Sequence, residues 1–426
     1  MSRKHYADLL IHGAAELVTM AAKTNGPRCG GAMNRIAAVK SGAVAVANGR
    51  ILIAGPENEV MATVKVDSTT RQISAKGRLV TPGLVDAHTH LVFAGSRENE
   101  FELKIVQGLS YEEIEDQGGG VLATVKQTRE ASMTRLIAQA RPVLHRMLKN
   151  GVTTVEAKSG YALTAEGEIK LLQAMEILNH EGPQEIIPTL FGAHDLPPEY
   201  SSRSEDFLSY IIDEMIPAVA EKGLARFYDS GVTFPPDDTA KLFAAAKAFG
   251  LGVKVHADEF ALMGGAALAA RCGAASAEHC LNSRDEDLEA MRQAGVIAVL
   301  LPAVPIIHRL GQFVDARRFI DNGLAVALGT DFNPSCPVES LSMVMSLACY
   351  TAGMHPAEAV TAATINAAYA VGCGHEVGSL EPGKQADIVI WEVANHLQLC
   401  ANPSSGLAAT VIKKGQIILE DGCPCS

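Results

Sequence analysis

From about residue 84 to residue 329 the chain alternates short, β-type, mostly apolar runs with amphipathic stretches of helical length. This alternation constrains the fold more than any other feature. Parallel strands need a crossover of a dozen or more residues, and a helix is the usual one. The β-type runs are 84–88, 152–156, 186–190, 225–229, 253–256, 274–279, 296–301 and 324–329. Helical spacing of apolar residues predicts helices over 166–179, 238–249 and 285–294 between them, and over 340–350 and 356–371 after them. Eight such strands predict an α/β fold, a closed (β/α)8 TIM-like barrel over residues 81–375. The two ends read differently. Short strands over 8–11, 43–47 and 51–54, with a hairpin at Asn48-Gly49, are matched by strands over 386–391, 411–413 and 416–419 that turn at Gly415. Residues 1–80 and 376–426 are therefore expected to form one smaller β-sandwich domain beside the barrel.

Composition narrows the partners. Hydrophobic residues make up 48% and the formal charge is -12, with no long Lys/Arg block, which argues against a nucleic-acid partner because such affinity rests on clustered bases. One well-placed arginine would still suit a small anionic ligand. The first residues lack the apolar stretch of a signal peptide, and no segment has the length of a membrane span, so no membrane partner and a cytoplasmic location are expected. Nine scattered cysteines, an odd number without CxxC spacing, fit reduced thiols, and Cys423-Pro424-Cys425 reads as a frayed tail.

Barrel active sites sit where the strands end, and here the strands end in ligand types. His88 and His90, spaced by one residue, point to the same side of a strand and can share one ion. Glu156 closes the second strand, and His194 follows the third. His256 closes the fifth, with Glu259 just after it; His279 closes the sixth, and Asp331 the eighth, followed by Asn333. A single buried histidine is usually a hydrogen-bonded core residue. Five histidines at or just past strand ends on one face reverse those odds. His88, His90, His256 and Asp331 make an N/O set suited to zinc, iron or manganese, with one position open for water. The reaction class this points to is metal-assisted hydrolysis, since a divalent ion lowers the pKa of water from 15.7 to roughly 7.

The Pro82-to-His90 run, the isolated His256 and His279, the Gly329-Thr330-Asp331 end and the late 378–387 segment resemble the metal-dependent amidohydrolase superfamily. Within it, the 88–101 run, Gly118-Gly119-Gly120, the 156–161 run, Gly192-Ala193-His194, the 256–259 run and Asp331-Phe332-Asn333-Pro334 resemble the members that open an imidazolone ring in histidine degradation. The resemblance implies hydrolysis of 4-imidazolone-5-propanoate to N-formimidoyl-L-glutamate. It implies one divalent ion per chain, Zn2+ or Fe2+/Fe3+, on His88, His90, His256 and Asp331, and a homodimer. Arg97 would hold the propanoate carboxylate, which a planar guanidinium can bind with two parallel hydrogen bonds. Tyr161, His194 and Glu259 match substrate contacts, and Asn333 a product contact. Among the catalytic groups, Glu259 would help activate water, His279 would polarise the oxyanion, and Asp331 would move a proton to the leaving nitrogen.

Two departures stand out. Where these relatives continue with Gly and then Ser or Thr, groups that contact the product, this chain has Ser335-Cys336; where they read Phe-Cys-Glu on the fourth strand, it has Phe227-Tyr228-Asp229. Lys158 invites comparison with a carboxylated, metal-bridging lysine of some superfamily members. Theirs belongs to the fourth strand, so a single metal is expected here. The triple glycine lacks the context of a phosphate loop and is expected to be a flexible segment over the active-site mouth. The other readings are another amidohydrolase of the same scaffold, namely a cyclic-amide hydrolase, deaminase or binuclear peptidase, and a non-catalytic scaffold that kept the fold.

Overall fold

The computed structural model describes residues 5–22, 24–231 and 233–425. Eight parallel strands follow one another in chain order around a sheet: β1 (Leu84–Asp86), β2 (Val152–Lys158), β3 (Glu185–Ala193), β4 (Phe227–Ser230), β5 (Gly252–Ala257), β6 (Ser276–His279), β7 (Ile297–Leu300) and β8 (Val326–Leu328). Backbone bonds close the ring between β8 and β1. Ala87 N donates to Leu328 O at 3.4 Å, Asp331 N to His88 O at 3.0 Å, and His90 N to Phe332 O at 2.7 Å. The expected barrel is therefore present, with β1 regular only to Asp86 and both His88 and His90 lying in the closing segment.

The helix expected over 356–371 is two helices, Pro356–Ala362 and Ile365–Ala370. The Ala363 carbonyl accepts from Val85 N at 2.9 Å, and Thr364 between the helices has ψ -98. The break thus ties the last helices to β1. The lower interior of the barrel is apolar: Val85, Ile187, Phe227, Ile297 and Val299 pack against Ala367, Val371 and Val377.

A nine-stranded sheet lies beside the barrel and draws strands from both chain ends. The ends meet where Ile388–Trp391 pairs antiparallel with Leu79–Pro82. Leu9, Ile11, Leu17, Val44, Ile51, Val80, Ile388, Ile390 and Ile412 share one core, so strands from the two ends pack on each other as expected for a sandwich, within one continuous hydrogen-bonded sheet. Asn48 and Gly49 have φ of 52° and 73°, the left-handed values that a type I′ hairpin needs. A Cβ on Gly49 would meet Lys414 O at 2.7 Å, so the two hairpin turns can touch only because no side chain intervenes. The tail is ordered rather than frayed, because Cys423–Pro424 pairs with Leu419 and Glu420 as an edge strand. All nine cysteines are free thiols.

Candidate active site

Strand alternation puts every second side chain into the barrel. On β2 these include Thr154, Glu156 and Lys158; on β5, Lys254 and His256; on β6, Ser276 and Glu278. The result is a fully buried charged layer above the apolar floor. Lys158 Nζ lies 2.8 Å from Glu156, 2.8 Å from Asp229 and 2.9 Å from Glu278. Lys254 Nζ lies 2.6 Å from the other oxygen of Glu278 and stands over the Phe227 ring. Burial alone would lower the Lys158 pKa, but its three carboxylates outweigh it and hold the amine well above its ordinary value. A protonated amine is no nucleophile for carbon dioxide, and the three carboxylates around Nζ favour the protonated form.

The layer's carboxylates orient the histidines above it. Glu278 Oε2 lies 2.8 Å from His88 Nδ1, and Asp229 Oδ2 lies 3.0 Å from His256 Nδ1. Both are ion-pair distances without hydrogen-bond geometry; a carboxylate facing Nδ1 favours the tautomer that leaves Nε2 free for a ligand. The Asp229 departure from the family pattern thus falls on a residue that aims His256. His88 Nε2 and His90 Nε2 lie 3.3 and 3.6 Å from Asp331 Oδ1. Two ligands at about 2.0–2.2 Å from one tetrahedral ion are about 3.3–3.6 Å apart, so these spacings suit a shared ion. Asp331 Oδ1 and His88 Nε2 are buried without hydrogen-bond geometry, as atoms that await another partner would be. His88, His256 and His279 also converge within 4.8 Å. The residues present fit a divalent cation.

Strained backbone delivers several of these groups. His279 and Asp331 have φ of 66° and 53°, which non-glycine residues seldom adopt, and both sit where a strand turns out of the barrel. Asp258, with φ of 49°, caps the following helix through Met263 N at 2.8 Å and Gly264 N at 2.8 Å, and so holds the loop that carries Glu259. Burial, then the nearby Asp331 charge, pushes the Glu259 carboxyl well above its usual range, so it keeps a proton. Burial pushes His279 well below its ordinary value, so it is neutral. Burial, reinforced by His256, brings His194 down to about 3. Its Nδ1 lies 3.0 Å from Gly160 O, to which it donates, and its ring stacks on Phe191 at 4.4 Å. His194 Nε2 is therefore an acceptor.

A cavity of about 1280 Å³ opens over this centre. His90, Arg97, Tyr161, His194, His256, Glu259, His279, Asp331, Asn333 and Ser335 line it together, as the sequence reading expects of a common site. His88 lies beneath, wholly buried. Cys336 is not brought to the wall; its thiol is buried, 3.9 Å from Thr330 O, because Asn333 Oδ1 accepts from both Ser335 N and Cys336 N and pulls the loop inward. That also commits the Asn333 side chain to its own loop. Arg97 is at the wall with its fork engaged: Nε and Nη2 donate to Glu100 at 2.8 and 2.9 Å, and Nη2 to Tyr111 at 3.2 Å. The triple glycine is at the mouth but anchored, since Gly120 N donates to Glu100 at 2.9 Å and opens the helix Gly120–Glu130.

Sequence reasoning missed Glu278, Lys254, Glu100, Lys104, Tyr111 and His308. Strand alternation two residues below His256 would have found Lys254, and a charged residue inside an apolar β run was the available signal. Tyr111 and His308 line the cavity from segments between the strands, and Lys104 reaches Ser335 from the helical turn Leu103–Gln107, so strand position offers no clue to them.

A family model described as the amidohydrolase family matches residues 79–418. An imidazolonepropionase of Symbiobacterium thermophilum is 47% identical over 421 residues, covering 97% of this chain and 98% of its own. One of Geobacillus kaustophilus is 46% identical over 420 residues, covering 97% and 98%. Among solved structures, an adenosine deaminase of Xanthomonas campestris with bound zinc superposes with a TM-score of 0.74 over 100% of this chain and 95% of its own. At 19% identity that likeness speaks to fold alone.

Proposed function

The chain belongs to the amidohydrolase family, and from that premise we propose that it opens the ring of 4-imidazolone-5-propanoate by hydrolysis, yielding N-formimidoyl-L-glutamate in histidine degradation. It is a hydrolase of a cyclic-amide C–N bond. The observation that carries the reading is 46–47% identity to imidazolonepropionases along nearly the whole chain. The family and the converging His/Asp groups support a divalent metal.

We assign one ion per chain, zinc or iron, to His88, His90, His256 and Asp331. When bound, it supplies Lewis acidity, acidifying water to a pKa of roughly 7 and polarising the carbonyl. The remaining steps belong to the chain. Arg97, with its Nη1 uncommitted by Glu100, faces the propanoate carboxylate. Tyr161 and His194 orient the ring from one wall, and Ser335 offers a hydroxyl from the other. Glu259 manages the proton of the attacking water, its carboxyl being pushed well above its usual range by burial and then by the Asp331 charge. Neutral His279 donates to the developing oxyanion. Asp331 carries a proton to the ring nitrogen that leaves, and Asn333 shapes the loop against which product rests. The Cys336 thiol, turned away from the cavity, takes no part in the reaction. The reading takes the catalytic unit as residues 81–375, the composite unit as 1–80 with 376–426, and the enzyme as a cytoplasmic homodimer.

The test is the ultraviolet absorbance of freshly made 4-imidazolone-5-propanoate with and without protein, corrected for spontaneous decay, with N-formimidoyl-L-glutamate measured as product. Chelator-sensitive, protein-dependent loss is the expected result. No acceleration by fully metallated protein would transfer the proposal to another cyclic-amide substrate. Arg97→Ala is expected to raise KM strongly with metal content intact, whereas His256→Ala is expected to lose metal and rate together; elemental analysis beside the kinetics separates the two.

A further inference from the structure

Lys104 lies in a single π-helical turn, Leu103–Gln107, and is only 5% exposed. Its Nζ donates to Ser335 Oγ at 2.9 Å and stands 5.8 Å from the centre of the Tyr111 ring. Arg97 stands over the same ring at 5.5 Å, so two cations meet beside one wall of the cavity. Their charges are handled differently. Glu100 grips the Arg97 guanidinium bidentately, whereas among the described residues the direct partners of Lys104 Nζ are Ser335 Oγ and the Tyr111 ring, with no carboxylate in salt-bridge contact. A buried ammonium whose direct partners are one hydroxyl and a ring face is in an unfavourable state, and a carboxylate relieves it most strongly. Burial accordingly lowers the Lys104 pKa.

Ser335, which lines the cavity, is the side chain that Lys104 rests on. A glycine at that position would offer no hydroxyl, so this resting contact depends on the departure from the family pattern noted in the sequence. The turn that carries Lys104 is itself held from the far side of the mouth, where Arg309 donates to Lys104 O at 2.9 Å. Single π turns recur at functional sites because they re-aim one side chain out of helical register.

We propose that Lys104 is a specificity-determining residue that exchanges its resting contact with Ser335 for the propanoate carboxylate of the ligand, supplying the positive charge that the Arg97–Glu100 pair has already neutralised. The inference rests on the ring-opening reading for the identity of the ligand, but not for the need of an anion.

The experiment is calorimetric titration of the metal-loaded full chain with two stable probes of equal ring chemistry, 3-(imidazol-4-yl)propanoate and 4-ethylimidazole. The wild type is expected to prefer the carboxylate probe. Lys104→Met should cut that preference at least about tenfold while leaving the affinity for 4-ethylimidazole unchanged. Lys104→Arg should restore part of it, and Lys104→Gln serves if the methionine variant does not fold. An unchanged preference in Lys104→Met or Lys104→Gln, an equal loss for both probes, or a wild type without preference would each overturn the proposal. Because the readout is binding, a wild type that prefers the anion yet leaves 4-imidazolone-5-propanoate intact would sink the reaction and spare the anion site.

Discussion

The upper interior of the barrel and the core of the terminal sheet are equally closed to solvent but built from opposite residue types. In the sheet, Ile11, Leu17, Val44, Ile388, Ile390 and Ile412 fill the space, and each contributes by leaving water. In the barrel, Lys158 and Lys254 face Glu156, Asp229 and Glu278 at the same depth. Such a layer is a poor source of stability, because desolvating the charges costs about as much as their attraction returns. What it supplies is direction: its carboxylates face the Nδ1 atoms of His88 and His256 at 2.8 and 3.0 Å, and its lysines keep those carboxylates from repelling one another. The comparison teaches that this fold draws cohesion from one interior and ligand geometry from the other.

The contrast can be broken at several points. Lys158→Met should have the largest effect, about 3–5 kcal/mol in urea unfolding, with metal lost as well, because buried carboxylates are left without their shared cation. A loss below about 1 kcal/mol would mean that the layer is not held by pairing. Ile390→Ala in the sheet core should cost about 2–4 kcal/mol and leave metal content untouched, since it removes only packing. Loss of metal in that variant would show that the two interiors are not separable. Glu278→Gln should weaken metal affinity by about 10–100-fold, read by competition with a chromogenic chelator, because the amide holds His88 less firmly. Least affected should be Arg71→Ala, which removes an exposed pair with Glu420 and should shift stability by about 1 kcal/mol or less.

Much of this architecture was legible beforehand because its signals are local. Alternating β runs and amphipathic stretches report burial on each side of an element, so eight strands and the helix Asp285–Ala294 could be placed from sequence. The ligand types could be found because barrel strands end on a common face. The helix break at Thr364 could not, since Ala363 gives its carbonyl to a strand some 280 residues earlier in the chain, a contact no local window contains. The edge pairing of Cys423–Pro424 was hidden for a similar reason: two residues long and proline-bearing, it has no pattern of its own.

By itself, then, the sequence determined the fold class, the family and which ligand-type side chains stand at strand ends, because periodicity and residue chemistry at strand ends are properties of neighbours along the chain. Tertiary structure alone decided which carboxylate faces which imidazole, that Lys158 stands among three acids, that Cys336 turns away from the cavity, and that among the described residues Lys104 has no carboxylate as close as Glu100 is to Arg97. Each of these depends on distances between residues far apart in sequence, and electrostatics and coordination respond to distance in space.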